Sequence, residues 1–309
     1  MGVVTRAVRF ERFGGPDVLH VVDVPDPDPG PGQVRVTVRA AGLTAGESAA
    51  REGALAELYP TAFPGGEGAE FAGVVTATGP GAGFAVGEEV LGWSARHDAH
   101  AEAVVVPAAH VVRKPAGLPW EAAGALYVAG VAAHACVCAV GVRDGDVVVV
   151  HGATTDVGSF AVQLARLCGA GVVGVAEAGH HDWLHAHGSD AVEPAADPGE
   201  LARRVLARTP RVDALVDTTG ADLPALAGAL GVGAPRALST LDVEAAVEFG
   251  GESAPTASRR AEVLAELAQL VADGRLHVPI AGAYPLSDVR AAVTAAERPG
   301  RHGRVVLLP

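Results

Sequence analysis

Residues 146–168 read DVVVVHGATTDVGSFAVQLARLC, and their reading decides the fold. Asp146 to His151 is a short unbroken apolar run, the pattern of a strand covered on both faces. Ser159 to Cys168 changes period, with Phe160, Val162, Leu164 and Leu167 at helical spacing. Between them lies a tight loop of small residues, His151 to Gly158. A strand, such a loop and a helix start together present backbone N–H groups to a pyrophosphate. Gly152 can supply the turn, Gly158 lets helix and strand approach, and Thr154 and Thr155 offer hydroxyls.

Outward from this unit the alternation continues. Val172 to Ala176 reads as a second strand, Asp182 to His187 as a short helix and Val212 to Asp217 as another buried strand. Strands alternating with helices predict a parallel, doubly wound sheet, an α/β architecture. The first third differs. Ala7 to Phe10, Val18 to Val24, Gln33 to Ala40, Glu70 to Thr78, Val104 to Val106 and Val111 to Lys114 are strand-like runs separated by Pro/Gly turns. Such a pattern predicts a β-rich barrel or sandwich. Near the end, Ala261 to Asp273 reads as an amphipathic helix, Ser287 to Glu297 as a helix that Ser287 can cap, and Arg304 to Leu308 as a closing strand.

Composition narrows the partners. The 309 residues carry 36 acidic and 23 basic side chains, a net charge of −13, and Lys114 is the sole lysine. Phosphate backbones and anionic lipid would repel such a chain, which argues against nucleic-acid and membrane-surface roles. Ala122 to Val142 is a charge-free run of bilayer length, but Ala and Gly drive insertion weakly, so it reads as two buried elements. Cys136, Cys138 and Cys168 form no disulfide framework or C-x-x-C motif. The expectation is a soluble, cytoplasmic protein.

Specific segments then resemble a known family. These are ERFGGPDVL (11–19), PDPDPGPGQVRV (25–36), Ala40-Ala41-Gly42, FAGVV (71–75), Gly79-Pro80-Gly81, VGSFAVQLA (157–165), Asp217-Thr218 and GRVVL (303–307). In this order they resemble the zinc-free quinone oxidoreductase group of the medium-chain dehydrogenase/reductase (MDR) superfamily, over nearly the whole chain. The resemblance implies a GroES-like β-rich domain (1–121 and 275–309) holding substrate and a Rossmann nucleotide-binding domain (122–274). It also implies NAD(P)H-dependent reduction of a quinone or activated C=C bond by a homodimer.

Candidate cofactor contacts are Gly152, Ala153, Thr154, Thr155, Asp156, Val157 and Gly158, with Thr218. Glu177 follows the second strand, nineteen positions after Gly158, where a carboxylate would accept both ribose hydroxyls and repel a 2′-phosphate. It stands where the family has a serine for that phosphate, and no Lys or Arg lies between Cys168 and Pro198. NADH is therefore expected over NADPH. Thr44, Tyr59 and Tyr127 are candidate donors to a substrate carbonyl.

The chain also departs from the family. Leu43-Thr44 and Gly65-Gly66 stand where zinc-dependent relatives carry ligands, so no zinc site is expected. His180, His181, His185 and His187 cluster without a Cys or acidic partner fixed by spacing. Thr155 and Asp156 replace two loop glycines; Asp156 either opposes the pyrophosphate, at a cost of several kcal/mol, or caps the helix. Thr44 replaces the family's Asn and Val131-Ala132 its Thr-Thr pair. These departures leave a second reading open: a non-redox enzyme catalysing cyclisation, conjugate addition or dehydration of a conjugated substrate, with Asp156 or His134 as acid/base.

Overall fold

The computed structural model describes residues 4–54, 56, 61–240 and 261–309. It divides into two compact units. One holds the described residues up to Val128 together with 261–309; the other runs from Ala129 to Thr240. These divisions, after Val128 and before 261, fall near the expected limits of 122 and 274. Helix Trp120–Gly124 packs on strand Gln33–Gly42, and helix Ala261–Ala272 packs on strand Val111–Arg113. Both belong with the β-rich unit because their apolar faces are buried there.

The β-rich unit is built on a seven-stranded sheet. Its order is Ile280–Pro285, Arg304–Leu308, Gln33–Gly42, Glu70–Thr78, Glu89–Trp93 and Val111–Arg113, with Ala103–Pro107 also paired to Gln33–Gly42. A three-stranded sheet of His20–Pro25, Val4–Phe10 and Gly65–Gly66 completes it. Alternation in Gln33–Gly42 buries Val34, Val36 and Val38 beside Phe71, Val75 and Val104, as period-two patterning requires. A second core forms where Val289, Ala292 and Val293 of helix Val289–Ala296 meet Val8, Leu19 and Leu307. That helix is preceded by a 3₁₀ turn, Leu286–Asp288. Asp288, not Ser287, holds the N-cap position.

The second unit is a five-stranded parallel sheet in the order Asp190–Val192, Gly171–Val175, Val147–His151, Ala214–Asp217, Ala237–Ser239. The order reverses between the Val147 and Ala214 strands, the switch point at whose carboxyl ends such sheets bind ligands. Val148, Val149 and Val150 are fully buried, as the unbroken apolar run predicts. Helix Asp156–Leu167 packs on the Val147 and Gly171 strands with Phe160, Val162 and Leu164 buried. Burying Phe160 alone contributes about 2–3 kcal/mol. Leu167, expected on the same apolar face, is instead 38% exposed in the last turn.

The apolar run 122–142 is interrupted. It holds the end of helix Trp120–Gly124 and the helix Tyr127–Ala139. Among the described residues no helix is long and apolar enough to cross a membrane.

Candidate active site

The Gly-rich loop sits at the switch point. Strand Val147–His151 ends at His151, and the chain turns at Gly152, whose φ of +76° is a left-handed conformation that glycine adopts at little cost. A Cβ on Gly158 would lie 2.0 Å from the Gly152 carbonyl oxygen, so loop and helix approach as only glycine permits. Thr155 is the N-cap of helix Asp156–Leu167: its Oγ1 accepts the Gly158 N–H at 3.0 Å. The same oxygen lies 2.8 Å from Thr218 Oγ1, which donates to the carbonyls of His151 and Gly152. The Thr155 hydroxyl thus braces the loop, where the sequence suggested a donor for a ligand.

Of the two placements open to Asp156, capping falls to Thr155. Asp156 is the first helical residue, half-buried, with its carboxylate in the positive field of the helix start. Ala153 N–H and Thr155 N–H are used within the unit, bonding Val175 O and Gly152 O. The first helical N–H groups lie outside the intrahelical ladder. The backbone cradle therefore fits a dinucleotide pyrophosphate, with one carboxylate added beside it. Replacing Asp156 by Gly is expected to tighten NADH binding roughly tenfold, read by calorimetry.

Glu177 follows strand Gly171–Val175, beside the loop strand in the sheet. It is exposed and opens a 3₁₀ turn in which His180 N–H donates to its carbonyl. His181 Nε2 bonds the Ala176 carbonyl at 2.9 Å and His187 Nδ1 that of Trp183 at 2.8 Å, so these two imidazoles serve the local backbone. Among the described residues no group of three or more His, Cys, Asp and Glu side chains is arranged to hold a metal. His134 is half-buried in helix Tyr127–Ala139, 3.8 Å from Cys138 Sγ.

Two further candidates lie in the β-rich unit. Thr44 caps helix Ala45–Arg51, and its N–H donates to Glu47 Oε2 at 2.9 Å. Tyr127 is buried and stacks on Trp93 with ring centroids 4.5 Å apart; Trp93 also stacks on His110 at 4.6 Å. Tyr59 lies outside the described residues. The candidates thus form two groups, the loop with Thr218 and Glu177 in one unit, Thr44 and Tyr127 in the other.

Sequence reasoning passed over an Asp–His pair beside the loop. Asp217, fully buried at the end of strand Ala214–Asp217, accepts from Thr219, Gly220 and Ser239 and lies 2.9 Å from His151 Nδ1. The His151, Thr219 and Ser239 hydrogen bonds outweigh burial and hold its carboxyl below the usual range. An acid closing an otherwise apolar strand was the available signal.

Known proteins are similar to the chain in sequence and in fold. Residues 30–116 match the alcohol dehydrogenase GroES-like domain and residues 199–307 the zinc-binding dehydrogenase family. The quinone oxidoreductase of Pseudomonas aeruginosa is 30% identical over 290 residues, 91% of this chain and 83% of that protein. Among solved structures, the Coxiella burnetii quinone oxidoreductase superposes with a TM-score of 0.89 at 26% identity, covering 99% of this chain and all of the other. Mycobacterial Rv1454c complexed with NADPH superposes with a TM-score of 0.83 at 28% identity, covering 99% and 100%. Matches to two polyketide synthases cover 4% and 8% of those much longer proteins. The chain belongs to the quinone oxidoreductase-like group of the MDR superfamily, a family of NAD(P)-dependent oxidoreductases.

Proposed function

We propose that this enzyme reduces a quinone or the activated C=C bond of a conjugated carbonyl without a metal, and that it prefers NADH to NADPH. The observation that carries the reading is the loop 152–158 at the sheet's switch point, where Gly152 and Gly158 adopt the close approach a pyrophosphate cradle needs. Bound NAD(P)H supplies the hydride. Thr218 and Thr155 hold the loop in shape, Glu177 accepts the adenosine ribose hydroxyls, and Thr44 or Tyr127 donates to the substrate carbonyl. In this reading the parallel-sheet unit takes the dinucleotide and the β-rich unit the substrate. The enzyme works in the cytoplasm as a homodimer.

Zinc independence is supported by the residues themselves. Thr44 caps a helix and Gly65–Gly66 is a strand, so neither place offers a thiolate or imidazole. The test is NADH and NADPH oxidation with a naphthoquinone and with an enone, before and after treatment with a chelator. Turnover that survives the chelator supports the reading, and turnover lost with it sinks zinc independence. No turnover with either acceptor sinks the reductase and favours the non-redox reading.

Cofactor preference has its own expected result. Glu177→Ser removes the charge that opposes a 2′-phosphate. It should move the kcat/KM ratio for NADPH over NADH upward by about 10–100-fold. An unchanged ratio would remove Glu177 from the site.

A further inference from the structure

The β-rich unit buries an ionic cluster that the cofactor loop does not involve. Glu47, Glu67, Glu70, Arg51, Arg304 and His100 are each at most 6% exposed. Arg51 Nη1 donates to Glu67 Oε1 at 2.9 Å, and its Nη2 reaches the partly exposed Glu297 at 2.8 Å. Arg304 pairs with Glu70, whose second oxygen accepts Val128 N–H at 2.7 Å. Both oxygens of Glu47 accept backbone N–H groups, from Thr44 at 2.9 Å and Ala69 at 2.7 Å.

The buried charges do not balance without a proton. Three buried carboxyls face two guanidiniums, one of which also holds the solvent-reaching Glu297, and an uncompensated buried charge is strongly disfavoured. One proton bound among the enclosed groups makes that buried part neutral, with the Glu297 charge left to solvent. The proton's place follows from His100, which is fully buried. His100 Nε2 lies 3.1 Å from the Gly42 carbonyl, which can only accept, so Nε2 carries hydrogen. Nδ1 then lies 3.9 Å from Glu67 Oε2 and has no hydrogen-bond partner among the described residues. At 3.9 Å the two are beyond hydrogen-bond reach but within ion-pair range, so a proton resting on either group is felt by the other across an enclosed gap.

Glu67 leads from there toward Thr44. Both line a small cavity, with Glu47, Ser48 and Arg51, of about 10 Å³. Roughly 10–15 Å³ holds one water, given several polar partners such as these. We propose that Glu67 and His100 hold one exchangeable proton between them and pass it, through a single water in this cavity, to the Thr44 hydroxyl. There it would complete the reduction.

This rests on the reductase reading. The acceptor takes a hydride from NAD(P)H and one proton from the pair, giving NAD(P)⁺ and the reduced product; solvent then returns the proton to the pair. Burial pushes the Glu67 carboxyl up and the His100 imidazole down, so the enclosed site disfavours charge on both. The other charged or titratable groups near the pair are Glu47 and Arg51 on the Ala45 helix, Glu70, Arg304, Glu297, which pairs with Arg51, and His97, which neighbours Glu47.

The test uses the full-length protein labelled with ¹⁵N-histidine. His100→Gln, whose amide can keep the bond to Gly42, identifies the His100 signal. In Glu67→Gln the His100 titration should move by about one pH unit or more, as expected of coupled sites. An unmoved titration overturns the shared proton, whether or not the protein reduces quinones.

Delivery is tested by naphthoquinone reduction. Both variants should lower kcat about 100-fold, shift the pH profile and change the solvent isotope effect, while NADH affinity by calorimetry stays within about twofold. An unaltered pH profile and isotope effect overturn delivery. If Glu67→Gln fails to fold, His100→Gln carries the kinetic test. In that case an infrared band of a protonated carboxyl in the wild type that disappears in His100→Gln supports the pair, and an identical spectrum overturns it. Absence of turnover in the wild-type enzyme sinks the reductase reading and delivery together.

Discussion

Arg304→Met should destabilise the protein by about 3–5 kcal/mol, read from the urea midpoint. Arg304 is 1% exposed, pairs with the fully buried Glu70 and donates through Nε to the Ala125 carbonyl at 3.3 Å. Methionine fills part of the volume but leaves the Glu70 carboxylate buried beside no cation. The penalty is that of a stranded charge, not of a lost surface bridge, which would be worth about 0–1 kcal/mol. Adding Glu70→Gln removes the stranded charge and should restore at least about 1 kcal/mol. A single variant as stable as the wild type would show that the pair is not enclosed as described.

Gly158→Ala should abolish detectable NADH binding at millimolar concentration. The new methyl would lie 2.0 Å from the Gly152 oxygen and 3.0 Å from Thr155 Oγ1, the cap of the helix. Neither neighbour is the free end of a flexible chain, so the turn at Gly152 must open. The N–H groups it aims then lose their arrangement. Overpacking of this kind costs about 1–3 kcal/mol in stability, small enough for the fold to survive and for binding to be measured separately. Retained affinity would move the dinucleotide away from this loop.

The fold was legible where periodicity was strong. The run Val147–His151 and the helix after it predicted the centre of the parallel sheet. The strands Asp190–Val192 and Ala237–Ser239 escaped because three residues carry no period. Helices Pro198–Leu206 and Leu223–Leu230 were passed over as well, although each has proline in its first turn and an aspartate cap. The loop at 152–158 stood out because glycine spacing is a local signal.

The buried cluster did not stand out, because its pairs are assembled by tertiary structure. Arg304 lies 234 positions from Glu70, and Arg51 lies 246 from Glu297. Glu47 and Glu67 look like ordinary surface acids until the sheets close over them. Asp156 shows the same limit at short range. The sequence posed repulsion against capping, and only the position of Thr155 Oγ1 assigned the cap.

The proposed function places a nicotinamide dinucleotide on loop 152–158, and the roles proposed for Asp156, Glu177 and Thr44 in the reduction depend on that. Calorimetric titration of the purified protein with NADH and with NADPH tests it most directly. The expected result is saturable binding of one dinucleotide per chain, tighter for NADH, and lost in Gly158→Ala. Failure of both dinucleotides to bind at millimolar concentration would contradict it.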